Sequence, residues 1–169
     1  MIARLARPIS IRRLTKEEHV AIEASEAERA ALAEALDLLS LTSLTADLSV
    51  SPWRSEGVRV RGTVRGTVSQ ACVVTLEPVE GVVEEEIDVR LHPDAGEATQ
   101  VEVDPEAADP PEALESDVVD VGAIALEHFV LGLDPYPRVP GAAFEEEAEA
   151  EEEEPSPFAA LAALKKGAS

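Results

Sequence analysis

The segment Val58-Arg59-Val60-Arg61-Gly62-Thr63-Val64-Arg65-Gly66-Thr67-Val68 leaves this chain little choice of fold. Successive side chains of a strand point to opposite faces, so Val58, Val60, Val64 and Val68 share one face with Gly62 and Gly66. Arg59, Arg61, Thr63, Arg65 and Thr67 take the other. The two glycines leave gaps in the apolar face, which predicts strong curvature or the close approach of a helix. The valine side needs a core, and aromatic residues supply only 3% of the chain. Val, Leu, Ile and Ala must therefore build it.

The flanking segments fit a sheet with helices laid on it. Residues 7–14 predict a first strand. Ser25-Glu26-Ala27-Glu28 has the form of a capping box, in which Ser25 bonds the third helical amide and Glu28 reaches back. Leu32, Leu36 and Leu39 follow at helical spacing, with Arg29, Glu34 and Asp37 opposite. Leu44, Ala46, Leu48 and Val50 alternate as a strand that exits at Pro52 and Gly57. Thr75 to Gly81 contains enough turn chemistry to reverse the chain. A return strand then presents Val83, Ile87, Val89 and Leu91 on one face and Glu84, Glu86, Asp88 and Arg90 on the other. Residues 92–116 predict a polar, extended excursion. Asp120 caps a second helix running to about Leu133, ended by Asp134-Pro135, and its apolar content predicts the most buried helix of the molecule.

Charge divides the chain. Through Arg65 there are ten basic and nine acidic residues, a net +1; from Gly66 onward there are four and twenty-six, a net −22. Nucleic-acid binding concentrates positive charge, so any polyanion contact is expected before Gly66. Residues 145–154 hold eight glutamates and two alanines, which predicts a disordered, self-repelling tract. Beyond it, Ser156-Pro157 starts a short amphipathic helix with Phe158, Leu161 and Leu164 on one side and Lys165-Lys166 at its end. A helix of about ten residues is unstable alone in water, so this one needs a surface. Its surface is either a partner protein or the chain's own domain.

Candidate binding residues follow from the same pattern. Arg59, Arg61 and Arg65, joined by Arg54, form a stripe suited to phosphates. The competing reading is cross-strand pairing with Glu84, Glu86 and Asp88. Arg4, Arg7, Arg12, Arg13 and Lys16 form a second basic group with no acid nearby until Glu17. Trp53, the only tryptophan, is either a stacking platform for a base or the cap of a core. His19, His92 and His128 are spread without metal-ligand spacing, and the Glu127-His128 pair is expected to be structural. No phosphate-binding glycine loop occurs. The single Cys72 excludes an intramolecular disulfide and a cysteine-based zinc cluster. No catalytic constellation, metal, cofactor or small-molecule substrate is expected. No apolar run approaches the roughly 20 residues of a membrane span, and the N-terminus lacks a secretory h-region, so a soluble, cytoplasmic protein is expected.

Four stretches resemble the YceD family of large-subunit ribosomal RNA accumulation proteins. They are Val68-Ser69-Gln70-Ala71-Cys72-Val73-Val74-Thr75-Leu76-Glu77-Pro78, then Glu84-Glu85-Glu86, then Asp120-Val121-Gly122-Ala123 leading to Leu133-Asp134-Pro135, and finally Pro155 to Lys166. Many relatives carry Cys-x-x-Cys in the first stretch. Cys72 matches its first cysteine, but Thr75 stands at the second, so no metal or redox role carries over. The resemblance implies a bacterial factor that supports accumulation or processing of large-subunit ribosomal RNA, and it brings no catalytic residues.

The expected architecture is α+β: a curved antiparallel sheet with two packed helices over residues 1–140, an acidic disordered linker over 141–155 and a short C-terminal helix over 156–167. The expected function is non-enzymatic, supporting 23S ribosomal RNA accumulation through contact with precursor RNA or a ribosome-assembly protein. The alternative is an acidic adaptor or chaperone for a basic ribosomal or RNA-processing protein, which the −22 of the later portion favours. Oligomeric state has no signal in the sequence.

Overall fold

The computed structural model describes residues 4–95 and 110–142. Most of the expected acidic linker lies outside these residues, as do the expected C-terminal helix and its Phe158, Leu161 and Leu164. Within the described residues the chain forms β1 (Pro8–Ser10), a 3-10 turn (Ile11–Arg13), β2 (Glu18–Glu23) and α1 (Glu26–Ala35). There follow β3 (Ser40–Trp53), β4 (Gly57–Ala71), β5 (Pro78–His92), β6 (Glu112–Ala113), β7 (Val118–Asp120) and α2 (Val121–Leu131). The result is mixed α+β, with an open five-stranded sheet ordered β2-β3-β4-β5-β6 and a separate β1-β7 ribbon. β2 to β5 are antiparallel neighbours. β6 joins β5 in parallel, which departs from the all-antiparallel expectation.

The inner face of the sheet is the core. Leu44, Ala46, Leu48 and Val50 of β3, Val58, Val60, Val64 and Val68 of β4, and Val83, Ile87 and Val89 of β5 are buried there. Leu32 from α1 and Ala125 and Phe129 from α2 belong to the same cluster. Gly66 and Gly62, within β4, have separate reasons. A Cβ on Gly66 would stand 2.5 Å from the Phe129 ring, so the missing side chain is what seats α2 on the sheet. Gly62 has φ +152°, and a Cβ there would run into the Asp47 carbonyl of the neighbouring strand.

Both helices are capped by their own sequence. Ser25 and Glu28 form the reciprocal capping box on α1. Its C-terminus closes in a Schellman motif: the Leu38 amide bonds the Ala33 carbonyl at 2.9 Å and the Asp37 amide bonds Glu34 at 3.4 Å. Asp37 takes φ +54° in the place where glycine is usual. This turn overrides the expected Leu32-Leu36-Leu39 face, because it carries Leu38 into the core and leaves Leu39 55% exposed. On α2, one Asp120 carboxylate oxygen accepts from the amides of Gly122 at 3.1 Å and Ala123 at 3.2 Å. The same oxygen accepts from the Arg7 amide at 2.7 Å. Gly122 lies against the Leu5 backbone, where a Cβ has no room. Asp120 and Gly122 together therefore tie the N-terminal segment across the start of α2.

Other departures concern element bounds and short tertiary pairings that leave no periodic signal. The expected first strand over residues 7–14 is a strand only from Pro8 to Ser10, because the Ile11 amide bonds the Asp117 carbonyl at 3.0 Å and the chain turns. β2 was not expected, since only Val20 and Ile22 mark its inner face. The return strand begins at Pro78, not beyond Gly81, and the turn is confined to residues 72–77. The expected excursion over 92–116 contains β6, and residues 96–109 of it lie outside the described residues. α2 stops at Leu131, which is 76% exposed. It is still the more buried helix, with four buried residues against one in α1.

Replacing Asp120 with Ala removes a cap and a long-range bond together, and should cost about 2 kcal/mol. Chemical denaturation monitored by circular dichroism checks this, and Gly122→Ala should destabilise in the same direction.

Candidate functional site: the open face of the sheet

Because both helices pack on the inner face, the other face of β2 to β5 is uncovered by the described residues. Register sorts it into rows. His19, Ser49, Arg61 and Asp88 form one row, and Ser51, Arg59 and Arg90 form the next. Trp53 and Gly57 oppose each other at the end, where the His92 ring lies over Gly57. In the opposite direction come Ala21, Asp47, Thr63 and Glu86, then Glu23, Thr45, Arg65 and Glu84. The face is thus polarised: three arginines and one aspartate toward Trp53, then four carboxylates and one arginine.

Asp88 organises the basic end. It accepts from Arg59 Nε at 2.7 Å and from Arg59 Nη2 at 2.5 Å, a two-point carboxylate pair. Arg61 stands 3.9 Å and Arg90 4.0 Å from the same carboxylate. The hydrogen bond from Arg59 is the main reason the Asp88 pKa is lowered, with the charges of Arg59, Arg90 and Arg61 acting in the same direction. The Arg59 guanidinium is raised in turn by its bond to Asp88. One carboxylate cannot pair closely with three guanidiniums, so Arg61 and Arg90 keep donors that Asp88 does not engage. Arg65 differs: Glu84 lies 3.4 Å away within the carboxylate-rich rows.

At the strand ends, the Trp53 and His92 rings meet edge-on at 6.0 Å and 88°. The Arg54 guanidinium covers the indole at 4.2 Å from its centroid. Arg54 has φ +56°, so the turn itself holds it over the ring. A shallow cavity of about 320 Å³ opens beside Arg61, lined by His19, Asp47, Ser49 and Gly62. Trp53 is half-buried on the open face, and does not cap the core.

The N-terminal basic group does not gather into one patch. Arg7 pairs with Glu28 at 2.9 Å, and Arg12 pairs with Asp117 at 2.5 Å. Arg13 and Lys16 are exposed and without an ion pair among the described residues. Arg4 borders a cavity of about 450 Å³ with Leu5, Leu126 and Glu127. Two of the five cations are therefore spent on the fold. Arg90 and His92 are the site residues that sequence reasoning missed. Arg90 was visible on the polar face of the return strand, but only register places it opposite Arg59.

Elsewhere, His128 Nδ1 lies 3.0 Å from the Ile124 carbonyl, a bond within its own helix and not with Glu127. Cys72 is buried, and hydrogen bonding from Thr75 is the leading cause that lowers its pKa to about 7. No group of three potential metal ligands occurs among the described residues.

These features define a small α+β domain that presents one polar, charge-polarised sheet face to its surroundings. The family model of the large ribosomal RNA subunit accumulation protein YceD matches residues 60–165, and the chain belongs to that family. The match covers Arg61, Arg65, Asp88, Arg90 and His92, and begins just after Arg59. Neither the curated proteins nor the solved structures contain a match. No helix among the described residues is long and apolar enough to cross a membrane.

The Arg7–Glu28 pair carries a pH signature. The hydrogen bond from Arg7, followed by those from Ser25, lowers the Glu28 pKa from 4.5 to about 2. A carboxylate lowered on folding contributes stability above its unfolded pKa and loses it as pH falls through the folded value. The side chains are 34% and 26% exposed, so solvent screens the pair. Glu28→Gln should cost about 1 kcal/mol at neutral pH. That deficit should shrink between pH 4.5 and pH 2 in acid-unfolding curves of the two proteins.

Proposed function

We propose that this chain is a non-enzymatic, cytoplasmic factor in large-subunit ribosome biogenesis, supporting accumulation or processing of 23S ribosomal RNA. Membership of the YceD family carries the ribosomal part of this reading. The open face supports the binding part, since Arg61 and Arg90 approach Asp88 only at 3.9 and 4.0 Å while Arg59 holds it by two hydrogen bonds. Arg61, Arg54, Arg13, Lys16 and Arg4 are exposed cations available to a partner. The partner is precursor RNA or a ribosome-assembly protein.

A second reading is favoured by the carboxylate rows. Glu23, Asp47, Glu84 and Glu86 share one end of the same face, and the sequence after Arg65 carries −22. An acidic adaptor for a basic ribosomal or RNA-processing protein would use that end.

Removing the gene from its own cell should change the ratio of precursor to mature large-subunit RNA, measured by primer extension and RNA blotting. An unchanged ratio and unchanged subunit profile would count against both readings. Partner capture that is lost after nuclease supports the RNA form; capture that survives nuclease and falls with salt supports the adaptor.

A further inference from the structure

We infer that the basic end of the open face is a binding site for single-stranded RNA. In it Arg59, Arg61 and Arg90 contact phosphates, and the Trp53 indole stacks on one base. The inference rests on the ribosomal reading above and narrows it to one end of one face and to one form of RNA.

Three observations converge on it. The first is access, because neither helix covers this face and the Arg61 side chain is 56% exposed, with Arg59 and Arg90 at 23% and 22% on paired strands. The second is charge. Asp88 is committed to Arg59 by two hydrogen bonds, while Arg61 and Arg90 approach it only at 3.9 and 4.0 Å. Their guanidinium donors remain for phosphate oxygens, which accept the same planar, two-point geometry. Other acids near this end are Glu56 and Asp94 in the two adjoining turns, Glu17 at 3.5 Å from His19, and Asp47 beside the cavity. The third is the aromatic end. Trp53 and His92 are fixed edge-on, and Arg54 lies over the indole as a planar cation. A base can replace that guanidinium on the ring or lie next to it. Aromatic faces beside a basic track are how single-stranded nucleic acid is held without reading its sequence.

The form of the RNA follows from the same geometry. A stacked duplex offers no base face to Trp53, whereas an unpaired nucleotide does. The extent follows from the carboxylates. Glu86, Asp47, Glu84 and Glu23 repel a phosphate chain, so the strand must leave the face past Trp53 and not along Arg65. A basic peptide would prefer the opposite end.

Trp53 is the only tryptophan, so its emission reports directly from the site. The full chain is titrated at low salt with a short single-stranded oligoribonucleotide and with a duplex of the same sequence. The single strand should quench Trp53 and bind more tightly than the duplex. Arg61→Gln should weaken binding by about tenfold in anisotropy of a labelled oligonucleotide, and Trp53→Leu by a similar factor. Arg65→Gln should leave it unchanged. Asp88→Asn should strengthen binding several-fold by freeing Arg59, an outcome that a merely structural role for Asp88 does not give. Circular dichroism of each variant separates lost binding from lost folding. Absence of quenching by the single strand, equal affinity for duplex, or weakened binding in folded Asp88→Asn would overturn the inference. So would a basic peptide that quenches Trp53 where RNA does not. Each of those results, with ribosomal RNA still disturbed on gene removal, overturns this site and leaves the biogenesis reading standing. An undisturbed ribosomal RNA profile removes the biogenesis reading itself.

Discussion

The arrangement depends on α2 lying flat against the inner face of the sheet, with Phe129 over Gly66. A side chain on Gly66 would meet the Phe129 ring at 2.5 Å, so any larger residue there lifts the helix off the strand. With α2 seated, Val58, Val60, Val64 and Val68 lose their solvent, and burial at about 25 cal/mol per Å² becomes the main force holding the sheet. The consequence for function is indirect. The apolar cover is drawn to one side, and the arginines of β4 face outward.

The N-terminal segment closes the same assembly from the other end. Its Arg7 amide shares the Asp120 carboxylate with the first turn of α2, and its Leu5 backbone rests on Gly122. Arg7 and Arg12 then pair with Glu28 and Asp117. Basic residues that look free in the sequence are therefore partly fasteners. The open face shows the reverse case, in which pairing is incomplete because three guanidiniums compete for Asp88. Electrostatic competition of this kind leaves donors available without leaving a buried charge unpaired.

Much of this was legible in the residues, and the limits have physical causes. Alternation from Val58 to Val68 located the central strand, its faces and the glycine gaps. Ser25, Glu28 and Asp120 marked both helix starts. The Leu38–Leu39 exchange was hidden because Asp37 leaves helical geometry at a position where periodicity runs on. β2, β6 and β7 were hidden because strands of two to six residues are defined by their partners more than by their own pattern. At the site, the arginine stripe and its acidic opponents were visible, but which acid met which arginine was not. That depended on a register set by the turn over residues 72–77, which puts Arg90 opposite Arg59 and leaves Arg65 beside Glu84. The family resemblance identified in the sequence was matched by the family model over residues 60–165. The basic group at the N-terminus was the weaker inference, since its partners lie about twenty to a hundred residues away in sequence.

The central claim is that a ribosomal RNA factor meets RNA at the basic end of one sheet face. Ultraviolet crosslinking in cells, followed by mass spectrometry of the modified peptides and sequencing of the attached RNA, tests it most directly. Large-subunit ribosomal RNA should be found attached at or beside Trp53 and the Arg59–Arg61 segment. Recovery of protein partners alone, or of RNA attached only outside this face, would contradict it.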